Sequence, residues 1–162
     1  MSDEASFEDR LRAVFTAFRQ HGVEYAVFGA VALGLHGLVR TTADLDIFIP
    51  EDAANIERLK AALRSVFVDA SIDEISVHDL CGDYPAVRYN PPDGFGFDIL
   101  TRLGEAARFE TVEAETKEIE GARVSVATPM ALYRLKRGTV RPKDHQDAAA
   151  LRERFDLKDD ED

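Results

Sequence analysis

Residues 44–50 read Asp-Leu-Asp-Ile-Phe-Ile-Pro, an apolar run carrying two acids one residue apart and closed by a proline. Side chains alternate along a strand, so Asp44 and Asp46 fall on one face while Leu45 and Ile47 fall on the other. The segment therefore predicts a strand, Leu45 to Ile49, with one face for a core and a charged spot on the other. Any fold for this chain has to serve both faces at once.

The flanking sequence supplies the other elements. Phe7, Leu11, Val14, Phe15 and Phe18 stand at helical spacing, with Gly22 just past the end of that helix. Residues 23–28 are apolar and short enough for a buried strand. Gly29 then opens a small-residue helix ending at Gly37. A long helix over 51–67 turns Ile56, Leu59, Leu63 and Val66 to one side, and Glu51 and Asp52 suit its N-terminus. Strands are expected over 72–78, 84–89 and 95–100, the last two divided by the turn residues Asn-Pro-Pro-Asp-Gly. A short polar helix is expected near 104–110, then extended runs at 112–119 and 122–126. Thr128 and Pro129 cap a helix to about residue 137, and a last helix spans roughly 142–155. The pattern is α/β (α+β): one mixed central sheet flanked by helices, with two helices at the C-terminus. Residues 1–155 form a single domain on this reading, and 156–162 an acidic, disordered tail.

Charge narrows the partners. The net charge is −11, of which six negative charges belong to the two ends, leaving a body near −5. An acidic body argues against a broad nucleic-acid surface, which needs Lys and Arg to neutralise phosphates. Residues 134–145 run the other way, with Arg134, Lys136, Arg137, Arg141 and Lys143 against Asp144. That patch suits a small polyanion, or is a solvated helix face. A single cysteine, Cys81, excludes an internal disulfide. The N-terminus has no basic and apolar leader, and no apolar run approaches the ~20 residues that span a bilayer. The expected location is cytoplasmic, with no membrane partner.

Two carboxylates on one face repel unless a cation or solvent separates them. They are either solvated acids or ligands for a hard divalent ion such as Mg²⁺, which takes one or two carboxylates plus substrate phosphates. Gly29, between a buried strand and a helix, is where backbone N–H groups meet anions, and it lets a phosphate approach closely. Asp98 stands inside Phe-Gly-Phe-Asp-Ile-Leu, and an acid in such a run is costly to bury without a partner. It is either a hydrogen-bonded strand-end acid or a third ligand. His36 reads as a packed, hydrogen-bonded histidine.

Gly29, then Asp44-Leu45-Asp46, then Asp98 resemble the signature of the polymerase β-type nucleotidyltransferase superfamily: a glycine pair, a spacer, acid–apolar–acid, and a third acid on a later strand. The longer string from Gly29 through His36-Gly37, Arg40-Thr41-Thr42 and Asp44-Leu45-Asp46 is similar to the abortive-infection nucleotidyltransferase toxins and their bacterial relatives. So is the C-terminal block Pro129, Leu132-Tyr133, Leu135-Lys136, Arg141, Lys143-Asp144, Asp147 and Leu151. The resemblance covers about 22–50 and 95–155. One departure is Ala30, where the family usually has a second glycine or small polar residue.

The resemblance implies a Mg²⁺-dependent, nucleoside triphosphate-binding enzyme such as an ATP-binding transferase. It would move a nucleoside monophosphate to an acceptor hydroxyl on an RNA 3′ end such as tRNA, a protein or a small molecule. A toxin–antitoxin or phage-defence setting, with a cognate antitoxin, comes with it. Asp44, Asp46 and Asp98 become metal ligands and, with Lys136, the catalytic set. Gly29, Ala30, Arg40, Thr42 and Asp144 become the nucleotide site, with Asp147 as scaffolding. The alternative is a catalytically weak or inactive binding module of the same fold, acting as a partner subunit.

Overall fold

The computed structural model describes residues 6–38, 44–92, 95–104, 107–119 and 121–158. Arg40 and Thr42, and the acidic stretch from 159, lie outside these. Helix α1 (Phe7–Gln20) starts at a reciprocal cap: Ser6 Oγ accepts from the Asp9 amide at 3.1 Å, and Asp9 accepts from the Ser6 amide. Strand β1 (Ala26–Phe28) leads directly into α2 (Gly29–Leu35), and β2 (Asp44–Phe48) carries the acid pair. Helix α3 (Ala53–Val66) is capped by Asp52. After α4 (Val77–Leu80) come β3 (Ala86–Tyr89) and β4 (Gly96–Leu100), a small hairpin β5 (Arg102–Leu103) and β6 (Ala107–Arg108), then β7 (Ala114–Ile119) and β8 (Ala122–Ala127). Helices α5 (Pro129–Arg137) and α6 (Pro142–Phe155) close the chain, with Thr128 Oγ1 capping α5 at the Ala131 amide.

Six strands form one mixed sheet in the order β3-β4-β2-β1-β8-β7. β2 lies at its centre, antiparallel to β1 and parallel to β4. Helices α1 and α3 pack on each other with α1 against β8, while α2 lies against β1 and β2 and reaches α5. Leu45 and Ile47 are fully buried, and Val14, Phe15, Phe18, Ile56, Leu59 and Leu63 join them in one core. His36 is buried too, and its Nε2 donates to the Ala127 carbonyl at 2.8 Å.

Two expected elements are replaced. Residues 72–78 are not a strand: Ala70–Glu74 is a 3₁₀ turn and Val77–Leu80 a short helix. Ile72 and Ile75 are both buried, and their spacing of three suits a 3₁₀ turn, whose side chains repeat every three residues. Asp69 and Ser76 cap the two pieces, accepting from the amides of Ser71 and Asp79 at 3.0 Å. The polar helix near 104–110 is also absent. Gly104, at φ +57°, ends β5, and β6 pairs back with Arg102 opposite Arg108, before a single 3₁₀ turn at Phe109–Thr111. Among the described residues no helix is long and apolar enough to cross a membrane.

Candidate active site

The site is built from one row across the sheet. Phe28 on β1 pairs with Asp46 on β2, Asp46 with Asp98 on β4, and Asp98 with Arg88 on β3. Residues directly opposite in neighbouring strands share a face, so two acids and a guanidinium stand side by side. Asp44, one pleat back from Asp46, pairs with Gly96 and shares that face.

Arg88 is the residue that sequence reasoning missed. Its Nη2 donates to Asp44 Oδ1 at 2.8 Å and its Nη1 to Asp98 Oδ2 at 3.0 Å, while Nε donates to Asn90 Oδ1 at 3.1 Å. One planar fork thus bridges two carboxylates on different strands, which a lysine could not do. Gly96 makes room for it: a Cβ there would collide with the guanidinium and stand 2.8 Å from Asp44 Oδ1. The Asn-Pro-Pro-Asp-Gly turn held a usable signal. Folding 84–89 back on 95–100 about that turn sets Arg88 opposite Asp98.

Asp46 lies outside this grip and has a different electrostatic state. Burial comes first in pushing its carboxyl up to about 7, then a hydrogen bond shared with Asp98, then the charges of Asp98 and Asp44; Arg88 opposes these. Its carboxylate also rests against Gly29. The glycine has φ +70°, and a Cβ would run into Asp46 Oδ2 and stand 3.0 Å from its Cγ. Gly29 is therefore required twice, by its backbone and by the acid beside it.

Gly29, Ala30 and Asp46 form one wall of a cavity of about 430 Å³, with α5 and the start of α6 opposite. Phe28, Leu33, Leu132 and Leu135 supply apolar lining, and Lys136, Arg141, Lys143, Asp144 and Asp147 the charges. The volume falls in the range of small-molecule sites, as does the apolar wall with a few convergent polar groups. Lys136 is not a free cation. Its Nζ lies 3.2 Å from Asp144 Oδ1 and 3.0 Å from Asp147 Oδ2, both acids buried. Thr139 Oγ1 donates to Asp144 Oδ2 at 2.9 Å. Burial alone would raise the Asp144 carboxyl, but Thr139, Lys136 and Arg141 together hold it below the ordinary value. Asp144 thus points inward, as its helix face predicts.

The structure brings Gly29, Ala30, Asp46, Lys136 and Asp144 to one cavity, and Asp44, Asp46 and Asp98 to one face at its edge. Among the described residues no group of three or more His, Cys, Asp and Glu side chains converges on a point that could hold a metal ion. The reason is visible in the bonding. The Arg88 fork takes an oxygen from Asp44 and another from Asp98, and Asp98 also shares a hydrogen bond with Asp46. In kind the donors still fit a hard divalent ion, since all three are carboxylates on one face and a cationic group already bridges two of them.

No family model and no curated sequence matches the chain. Solved structures do. An antigenic nucleotidyltransferase-like protein from Paracoccidioides brasiliensis is 20% identical, over 93% of this chain and 76% of its own, with a TM-score of 0.57. A candidate nucleotidyltransferase from Thermotoga maritima is 15% identical over 90% of both chains, with a TM-score of 0.51. The antibiotic-resistance factor ANT(2'')-Ia is 14% identical, over 91% of this chain and 83% of its own, with a TM-score of 0.52. The chain shares the fold of these nucleotidyltransferase-like proteins.

Proposed function

We propose that the chain is a nucleotidyltransferase that moves a nucleoside monophosphate from a nucleoside triphosphate to an acceptor hydroxyl, with Mg²⁺ as cofactor. The observation that carries this is the pairing of Asp46 with Asp98, with Asp44 beside them, at the wall of the cavity that Gly29 opens. In the proposed reaction the acceptor oxygen bonds to the α-phosphorus, the bridging bond to the β-phosphate breaks, and pyrophosphate leaves. Asp98, on the outer of the two acid-bearing strands, accepts the hydroxyl proton. Gly29 and Ala30 leave room for the phosphates, and Arg141 and Lys143 neutralise them. Lys136 and Asp144 shape the cavity floor, with Asp147 holding Lys136 in place, while Arg40 and Thr42 join the nucleotide site by resemblance alone. Asp44, Asp46 and Asp98 would hold the divalent ion, which when bound neutralises the charge that develops on the transferring phosphate.

The acceptor is an RNA 3′ end such as tRNA, a protein or a small molecule. The resemblance to abortive-infection toxins supports a toxin–antitoxin or phage-defence role with a cognate antitoxin. The alternative, a catalytically weak or inactive binding module, draws support from Arg88, which already neutralises two of the three acids. Thermal melting with Mg²⁺ and each nucleoside triphosphate, followed by pyrophosphate release with wild type and Asp98→Asn, separates the two. A raised midpoint with pyrophosphate from wild type alone supports the enzyme. A raised midpoint without turnover supports the binding module, and no shift with any triphosphate sinks both.

A further inference from the structure

Arg88 bridges Asp44 and Asp98, two of the acids proposed to hold a metal ion, yet it is only partly buried there. Its side chain is 45% exposed, and those of Asp44 and Asp98 are 42% and 35% exposed. It projects from β3, the edge strand of the sheet, so no neighbouring strand lies beyond it. Arg88 and Asn90 are both exposed, so solvent lies beside the guanidinium and gives it room to swing away from the acids. Among the described residues, the two ion pairs and the Asn90 bond hold the fork in place.

A guanidinium and a divalent ion cannot share the same oxygens of Asp44 and Asp98. A divalent ion that takes those two oxygens therefore displaces Arg88, at the cost of two charge-assisted hydrogen bonds. A triphosphate changes that balance. Its oxygens match the planar fork as well as carboxylates do, and a bound nucleotide would place them beside the same face. We propose that Arg88 is a displaceable counter-ion that closes Asp44 and Asp98 to a free divalent cation and releases them when a polyphosphate takes over its fork. Arg88 thereby makes metal loading depend on nucleotide arrival. By reciprocity the metal strengthens polyphosphate binding by the same factor. The inference rests on the proposed reading of the three acids as a metal site.

The test titrates Mn²⁺ alone, followed by electron paramagnetic resonance, into wild type, Arg88→Gln and Arg88→Lys. Each titration is repeated with inorganic tripolyphosphate, and protein-free titrations are subtracted. Removing two partly exposed ion pairs that compete with the metal should tighten Mn²⁺ binding by Arg88→Gln about tenfold. Tripolyphosphate should then improve Mn²⁺ binding more in wild type than in Arg88→Gln, by about that same factor. Arg88→Lys keeps the charge but cannot bridge both acids, so it should show the same trend at smaller size. It also decides the matter if the glutamine variant does not fold. An Arg88 that merely braces the sheet would leave Mn²⁺ affinity unchanged or lowered in both variants, and that outcome overturns the inference while sparing the metal site. Equal enhancement by tripolyphosphate in all three proteins overturns it as well. No Mn²⁺ binding by any of them overturns the inference and the proposed function together.

Discussion

Asp46→Asn should stabilise the protein, and by an amount that depends on pH. Asp46 is pushed from an ordinary 3.8 to about 7 by burial first, and then by Asp98 and Asp44. Its folded value lies above its unfolded one, so between those values the folded state holds the proton more tightly. Stability from this group is therefore greatest in acid and is lost as pH rises from about 4 through 7. At ~1.36 kcal/mol per unit, the charged form costs the fold at most about 4 kcal/mol at neutral pH. Asparagine is isosteric, carries no charge, and can donate an N–H to Asp98 in place of the shared proton. Near pH 5 the folded Asp46 is still protonated while the unfolded chain has already ionised, so the variant's advantage there is about 1.6 kcal/mol. Its advantage should grow by about 2 to 3 kcal/mol between pH 5 and pH 8. For a domain of this size that corresponds to roughly 5 to 10 °C in the melting midpoint.

Parallel thermal melts of both proteins at the two pH values measure this, because titrating groups that do not touch Asp46 cancel in the difference. Mg²⁺ supplied with inorganic tripolyphosphate should raise the wild-type midpoint near pH 8 more than the variant's, since only a ligand that binds the folded state stabilises it. An advantage of equal size at both pH values, or an Asp46→Asn that melts below wild type near pH 8, would refute the reasoning. Either result means that Asp46 is not crowded by the acids beside it.

Other substitutions separate the remaining parts of the site. Gly29→Ala combines a left-handed backbone with a Cβ pressed on Asp46, and should cost about 1 to 3 kcal/mol in urea unfolding. Adding Asp46→Ala should recover only the part due to collision, so additive losses in the double variant would count against the contact. Asp44→Asn removes a partner of Arg88 rather than a crowded charge, so it should be neutral or destabilising by up to about 1 kcal/mol while abolishing transfer. A gain in stability as large as that of Asp46→Asn would contradict the bonding seen here. Lys136→Met leaves Asp144 and Asp147 buried without their shared cation, and should cost about 3 kcal/mol or more in urea unfolding. A loss below ~1 kcal/mol would assign Lys136 to substrate rather than to the fold.

The sequence made legible what depends on local period and on caps. The helices over Phe7–Gln20 and Ala53–Val66, the acid-bearing strand and the Thr128-capped helix all follow from spacing within one turn or one pleat. The strand expected over 72–78 does not form because Ile72 and Ile75 stand three apart, the repeat of a 3₁₀ turn and not of a pleat. Their burial on one side of a 3₁₀ turn shows that the spacing of three was the operative signal. The helix expected near 104–110 does not form because a polar stretch carries little periodicity, and Arg102–Leu103 pairs with Ala107–Arg108 instead.

The candidate site was legible one residue at a time, and its electrostatics were not. Asp44 and Asp46 stand on one strand at the spacing of a metal-binding pair, and nothing in that spacing tells them apart. Across the strands they differ: Asp44 meets Gly96 and through it the Arg88 fork, while Asp46 meets Asp98 directly and Gly29 behind it. One acid is thus neutralised by a guanidinium and the other by a shared proton, although they are two residues apart. That difference is set by register, which joins residues 28, 46, 98 and 88 in one row from four separate stretches of chain. The same row explains how the charge of three neighbouring acids is lowered. Two ways of lowering charge act at once, and a divalent ion has to undo both before it can bind: Arg88 must leave and Asp46 must lose its proton. Metal binding should then strengthen with pH up to about 7, where Asp46 gives up its proton. In Arg88→Gln that dependence should persist at a higher overall affinity, because removing the fork relieves only one of the two obstacles. Titrations of Mn²⁺ near pH 6 and near pH 8 on both proteins read the two contributions separately. A variant whose metal affinity no longer changed with pH would show that Arg88, and not the crowding of Asp46 by Asp98, sets the state of the site.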